Sequence, residues 1–194
     1  MTAARAWLVV VIGLLGVCAG EYESFTPPPL DFSDRQPLNL AVDRVTMDSV
    51  YRPAGAPPYV DHALPLTPEA ATRALLEQRL RAIGGTDRLQ AVILDASVQE
   101  EALETTSGVR GWLTTESAAR LEGRLRVRID RVDPAGTVVR SISTTVARTR
   151  AIPEGVAYAE RQRIAYELVR ALVDDLDAGL SANVRESYAE LLRP

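Results

Sequence analysis

The chain has 194 residues, 46% apolar and 25% charged, enough for one globular domain with flexible ends. A net charge of −4 and a pI near 5.2 exclude the basic footprint of a nucleic-acid binder. All 22 basic side chains are arginine, which removes phosphate-loop lysine, Schiff-base and Ser-Lys chemistry together.

Met1 to Arg5 carries one positive charge, and the apolar run Ala6 to Val17 follows it. About 12 apolar residues are too few for a bilayer that needs about 20, but they suit the core of a signal peptide. Residues 1–19 are therefore expected to be a signal peptide, and the protein to be exported. Two ends compete. Val17-Cys18-Ala19 suits signal peptidase I cutting before Gly20. Leu15-Gly16-Val17-Cys18 resembles the lipobox of bacterial lipoproteins, although Val17 stands where Gly, Ala or Ser is usual. On the second reading Cys18, the only cysteine, carries a lipid anchor, and two acyl chains give stable attachment. The location expected is either an outer-membrane lipoprotein facing the periplasm or a soluble periplasmic protein. Residues 20–37 are polar and Pro-rich, and are expected to be a disordered tether.

Residues 38–194 are expected to form a single α+β domain. Leu38 to Tyr51 reads as a strand whose alternation changes parity between Val42 and Val45, as a bulge would make it do. Arg52 to Leu66 is a Pro-rich loop. Thr67-Pro68-Glu69 starts a helix with a hydroxyl N-cap, proline at N1 and an acid in the first turn, and Gly84-Gly85 is expected to end it. Arg79 lies beside the apolar face of Leu75, Leu76, Leu80 and Ile83. Three strands follow: Gln90 to Glu104, Arg120 to Asp130 and Val138 to Arg150. Asp133-Pro134-Ala135-Gly136 turns the second into the third. Pro153 to Leu192 is helical, with apolar residues every four from Ile164 to Leu192. Such steps rotate around a 3.6-residue period, so a break near Gly179 is expected, with Ser181 capping a final short helix. The fold expected is a four-stranded, mostly antiparallel sheet, in the order strand, helix, three strands, helix, with the helices on one face.

Chemistry is thin along this chain. His62, the only histidine, sits in the Pro-rich loop without a nucleophile motif nearby. Asp174, Asp175 and Asp177 suit a solvated helix face, and no zinc or calcium pattern occurs. No catalytic, cofactor-binding or metal residues are assigned, and the chain is expected not to be an enzyme. Two surfaces are better candidates for binding. On one strand face stand Arg120, Arg124, Arg126 and Arg128, whose guanidinium groups suit an acidic protein or anionic lipid, diluted by Glu122 and Asp130. The long connection Thr105 to Ser117 carries Val109, Trp112 and Leu113, which suit a partner or membrane contact. No nucleic-acid partner is expected, and the membrane is reached only through the N-terminal lipid.

The lipobox-like stretch, the Pro-rich segment and the strand–helix–three strands–helix layout resemble small envelope lipoproteins of Gram-negative bacteria. Over Leu38 to about Asp177 the layout is similar to the lipopolysaccharide-assembly lipoprotein and to auxiliary lipoproteins of lipid-trafficking ABC transporters. The stretch PLTPEAATRALLEQRLRAIGGTDRLQAVILDASVQEEAL, Pro65 to Leu103, carries most of that resemblance. It implies a non-enzymatic accessory role in envelope transport or assembly. A ligand-free structural protein of the periplasm, and a hydrolase built around His62, are the other two readings.

Overall fold

The computed structural model describes residues 24–103 and 117–194. Cys18, Val109, Trp112 and Leu113 lie outside the described residues, as do the signal peptide and most of the long connection.

The elements run β1 (Leu38–Leu40), β2 (Arg44–Ser49), α1 (Pro68–Arg79), β3 (Leu80–Ala82), β4 (Arg88–Ala102), β5 (Ser117–Val132), β6 (Val138–Pro153), α2 (Tyr158–Ser187) and β7 (Leu192–Arg193). The larger sheet has the order β2-β4-β5-β6, with β2 parallel to β4 and the other pairs antiparallel. A small second sheet has the order β3-β1-β7. The fold is α+β, with a four-stranded, mostly antiparallel sheet as its main layer.

Alternation builds the sheet. Leu121, Leu125, Val127 and Ile129 of β5 are buried on one face, while Arg120, Glu122, Arg124 and Arg126 are exposed on the other. Asp133 to Gly136 makes the expected turn, with the Thr137 N–H donating to Asp133 Oδ1 at 2.8 Å. Leu75 and Leu76 of α1 and Leu168, Leu172 and Leu176 of α2 complete the core against that face. Each such fully buried side chain contributes about 1.5–3 kcal/mol by leaving water. At Gly123 the sheet and α2 meet so closely that an added Cβ would lie 2.4 Å from Leu172 Cδ1.

Several local expectations are corrected. Leu38 to Tyr51 is two strands in two sheets: residues 41–43 carry the chain from one to the other, and that produces the parity change read as a bulge. The bulge belongs to β4, where the register shifts between Ile93 and Asp95. Helix α1 ends at Arg79, before the glycine pair, because Leu80–Ala82 extends to pair in parallel with Leu38–Leu40. Gly84, at φ +101°, turns the chain after β3.

Helix α2 runs unbroken from Tyr158 to Ser187. Its four-residue stripe is widened by Ala165, Val169 and Val173, one position along, so the rotating stripe never leaves apolar contact. Gly179 lies inside this helix, where an added Cβ would stand 3.0 Å from Thr144 Cγ2 of β6. Ser181 is not a cap but a buried link in a polar cluster.

Residues 24–37, read as tether, contain no regular element but lie packed on the domain from Phe25 onward. The Phe25 ring tilts against Tyr166 at 5.6 Å, and Tyr166 Oη donates to the Pro28 carbonyl at 3.2 Å. Phe32 is buried, its N–H donating to Gln78 Oε1 at 2.9 Å, and Arg35 lies over its ring at 4.9 Å.

Candidate functional site

The acids expected on a solvated helix face are ion-paired instead. Asp177 Oδ1 accepts from Arg79 Nε at 2.7 Å and its Oδ2 from Arg35 Nη1 at 2.8 Å, while Arg35 Nη2 reaches Asp174 Oδ1 at 2.6 Å. Asp175, on the other side of the helix, pairs with Arg148 of β6. That pairing holds the Asp175 carboxyl below, and the Arg148 guanidinium above, their ordinary ranges. These contacts bind the N-terminal segment, α1, α2 and β6 together, and their role is structural. Among the described residues no group of three or more His, Cys, Asp or Glu could hold a metal ion. His62 is exposed in a single 3-10 turn, Asp61–Ala63. No helix of the described residues is long and apolar enough to cross a membrane.

The arginine row lies on the sheet face away from the helices, as the alternation requires. Its members differ in how they are paired. Arg120 Nη2 donates to Glu101 Oε2 at 2.5 Å across the β4–β5 ladder, and Arg128 Nε to Asp130 Oδ2 at 2.9 Å. Arg124 stands 3.8 Å from Glu122. Arg126 is exposed and directly opposite Asp95, yet makes no ion pair among the described residues. Among the described residues the carboxylates thus take most of the row and leave the Arg126 guanidinium without an ion pair.

Beside this row the sheet edge has a gap. Strand β2 leaves β4 at Ile93, whose carbonyl accepts from the Val50 N–H at 3.0 Å. The chain returns through the Pro-rich loop at Pro58 to Val60. There the Glu100 N–H donates to the Pro58 carbonyl at 2.8 Å and the Val60 N–H to the Val98 carbonyl at 2.9 Å. Between these two attachments, just past the bulge, β2 no longer pairs with β4. The space is a cavity of about 370 Å³. The loop walls it with Tyr51, Arg52, Ala54 and Tyr59, and the strands with Asp95, Ser97, Gln99, Glu122 and Arg124. Arg52 is turned back on the backbone, its Nη1 donating to the Tyr51 carbonyl at 2.8 Å.

Tyr51 Oη and Asp61 Oδ1, which neighbour each other, are buried without a hydrogen-bond partner among the described residues. Asp61 is almost wholly buried, at 2% exposure. The Tyr51 phenol is pushed above its usual range, first by burial and then by the neighbouring Asp61 carboxylate, though their geometry falls short of a hydrogen bond.

The sequence located the arginine row but not the cavity, because the loop that closes it has no period to read. Its signal was the placing of Tyr51 and Tyr59 among prolines beside a strand end, where amphipathic rings favour a half-buried wall.

No family model matches this chain, and no curated protein matches it. Among solved structures it is similar to a minor lipoprotein from Acinetobacter baumannii, at 18% identity and a TM-score of 0.41, over 80% of this chain and 99% of that one. A lipoprotein from Caulobacter crescentus CB15 matches at 16% identity and a TM-score of 0.31, over 71% and 90%. Lipoprotein GNA1162 from Neisseria meningitidis matches at 10% identity and a TM-score of 0.24, over 73% and 99%. Likeness of this degree settles neither family nor partner.

Proposed function

We propose that this is an exported, non-catalytic accessory protein of the cell envelope, lipid-anchored at Cys18, that binds an acidic partner protein through the outer face of β5. The observation that carries the reading is Arg126: an exposed arginine opposite Asp95 that makes no ion pair among the described residues. A guanidinium held among paired neighbours offers a directional fork for one carboxylate, which suits a specific protein contact. A lipid surface favours dense unpaired charge, and this row is largely neutralised by Glu101, Glu122 and Asp130.

The test is cross-linking in native envelopes with a photoreactive group at position 145, which is opposite Arg126 on β6. A discrete adduct lost on Arg126→Glu and kept on His62→Ala supports the reading. No adduct, or one indifferent to Arg126→Glu, sinks it. The anchor is tested separately by intact mass: a mature chain starting at Cys18 with two or three acyl chains is expected.

A further inference from the structure

We infer that the cavity between the Pro-rich loop and β4–β5 is a binding site for a small zwitterion, one ammonium group carried close to one phosphate or carboxylate. The inference goes beyond the partner surface and shares only Arg124 with it. Asp95 lines the cavity on one side, with Tyr51 and Tyr59 as aromatic walls. Carboxylates and aromatic faces together suit an organic ammonium ion. Arg124 lies on the other side. Its strand partner is Ser97, two residues from Asp95, so Asp95 and Arg124 are diagonal neighbours about 7–8 Å apart along the backbone. They make no ion pair with each other: Asp95 Oδ1 accepts from the Ser97 N–H at 3.1 Å, and Arg124 keeps only the loose 3.8 Å approach to Glu122. Opposite charges held apart across a cavity match a ligand that carries both.

The test is a nuclear magnetic resonance titration of the full mature chain, following the amides of residues 95–99 and 122–124. The probes are glycerophosphoethanolamine and the dipeptide dialanine, with ethanolamine and glycerol phosphate as half-ligands. At least one zwitterion should shift those amides, and bind ten-fold or more tighter than either half. Binding of the phosphodiester alone would name a lipid head group as the source, and binding of dialanine alone a peptide. Asp95→Asn, which keeps an acceptor for the Ser97 N–H, should abolish the preference over glycerol phosphate. Arg124→Gln should abolish the preference over ethanolamine. Either half binding as tightly as the zwitterions, or no probe shifting these amides, overturns the proposal. The cross-linking at position 145 and this titration are separate readouts, so the cavity and the partner surface stand or fall separately.

Discussion

Arg79 and Asp177 stand 98 residues apart in the chain and meet at 2.7 Å, with side chains only 6% and 9% exposed. The arginine ends α1 and the aspartate lies in the middle of α2, so one ion pair fixes how the two helices sit on the sheet. Ser181 Oγ accepts a second hydrogen bond from Arg79 at 3.0 Å, while Arg79 Nη1 finds no partner. Buried pairs of this kind stabilise little in themselves, but removing one member strands the other charge. Asp177→Ala is therefore expected to cost about 3–5 kcal/mol in urea denaturation. The double change Arg79→Met with Asp177→Leu should recover most of it. A single variant as mild as the double would show that Arg79 reaches solvent when its partner goes.

Tyr188 closes the far end of α2. Its ring is fully buried, and its hydroxyl contacts the carbonyls of Ile129 at 2.9 Å and Arg140 at 3.2 Å, one on each strand of the β5–β6 hairpin. Tyr188→Phe leaves those carbonyls short of a donor and should cost about 1–3 kcal/mol. Chemical denaturation at neutral pH measures it.

The same tyrosine gives an alkaline signature. Burial, with the charge of Asp130, pushes its phenol up to about 12 from an ordinary value of 10. Above pH 10 the unfolded chain loses the proton that the folded chain keeps, so stability present below pH 10 is lost as pH rises toward 12. Thermal melts between pH 9 and 12 should fall more steeply for the native chain than for Tyr188→Phe.

Asp175 acts at the other end of the scale. Its carboxyl is lowered by the hydrogen bond from Arg148, so it contributes stability above the ordinary carboxyl value of 3.8. That contribution disappears as pH falls through the lowered folded value. Arg148→Met should flatten this part of the acid limb in melts from pH 5 to 2. An unchanged limb would mean that the pair is screened by water.

Gly123 tests the contact between sheet and helix. Gly123→Ala forces Leu172, which is fully buried, out of its place and should cost about 1–3 kcal/mol. Gly179→Ala meets a looser contact at 3.0 Å and gains helix propensity, so it should be milder. Equal losses at the two sites would place the tight contact wrongly.

What was legible in the sequence follows from range. Strands β4 to β6 announced themselves because alternation and the Asp133–Gly136 turn are local. Helix α1's start was equally local, and the Thr67 hydroxyl does accept from the Ala70 N–H at 3.3 Å. The end of α1 was not, because Leu80 belongs equally well to a helix stripe and to a strand. Its pairing with Leu38 decides the matter, and no window along the chain holds both residues. The switch of sheets at residues 41–43 produced the same parity change as a bulge. The aspartates of α2 read as solvated because their arginines, Arg35, Arg79 and Arg148, come from three distant segments. The arginine row was visible, but its pairing depends on residues across the ladder, Glu101 opposite Arg120 and Asp95 opposite Arg126.

The packing of Phe25 against Tyr166 changes the freedom of the whole molecule. Read as tether to residue 37, the chain beyond Cys18 would span 19 residues, roughly 65 Å when extended. Held at Phe25, the leash is seven residues, roughly 25 Å at full stretch. On the proposed anchor at Cys18, that difference sets how far the body can stand from the lipid.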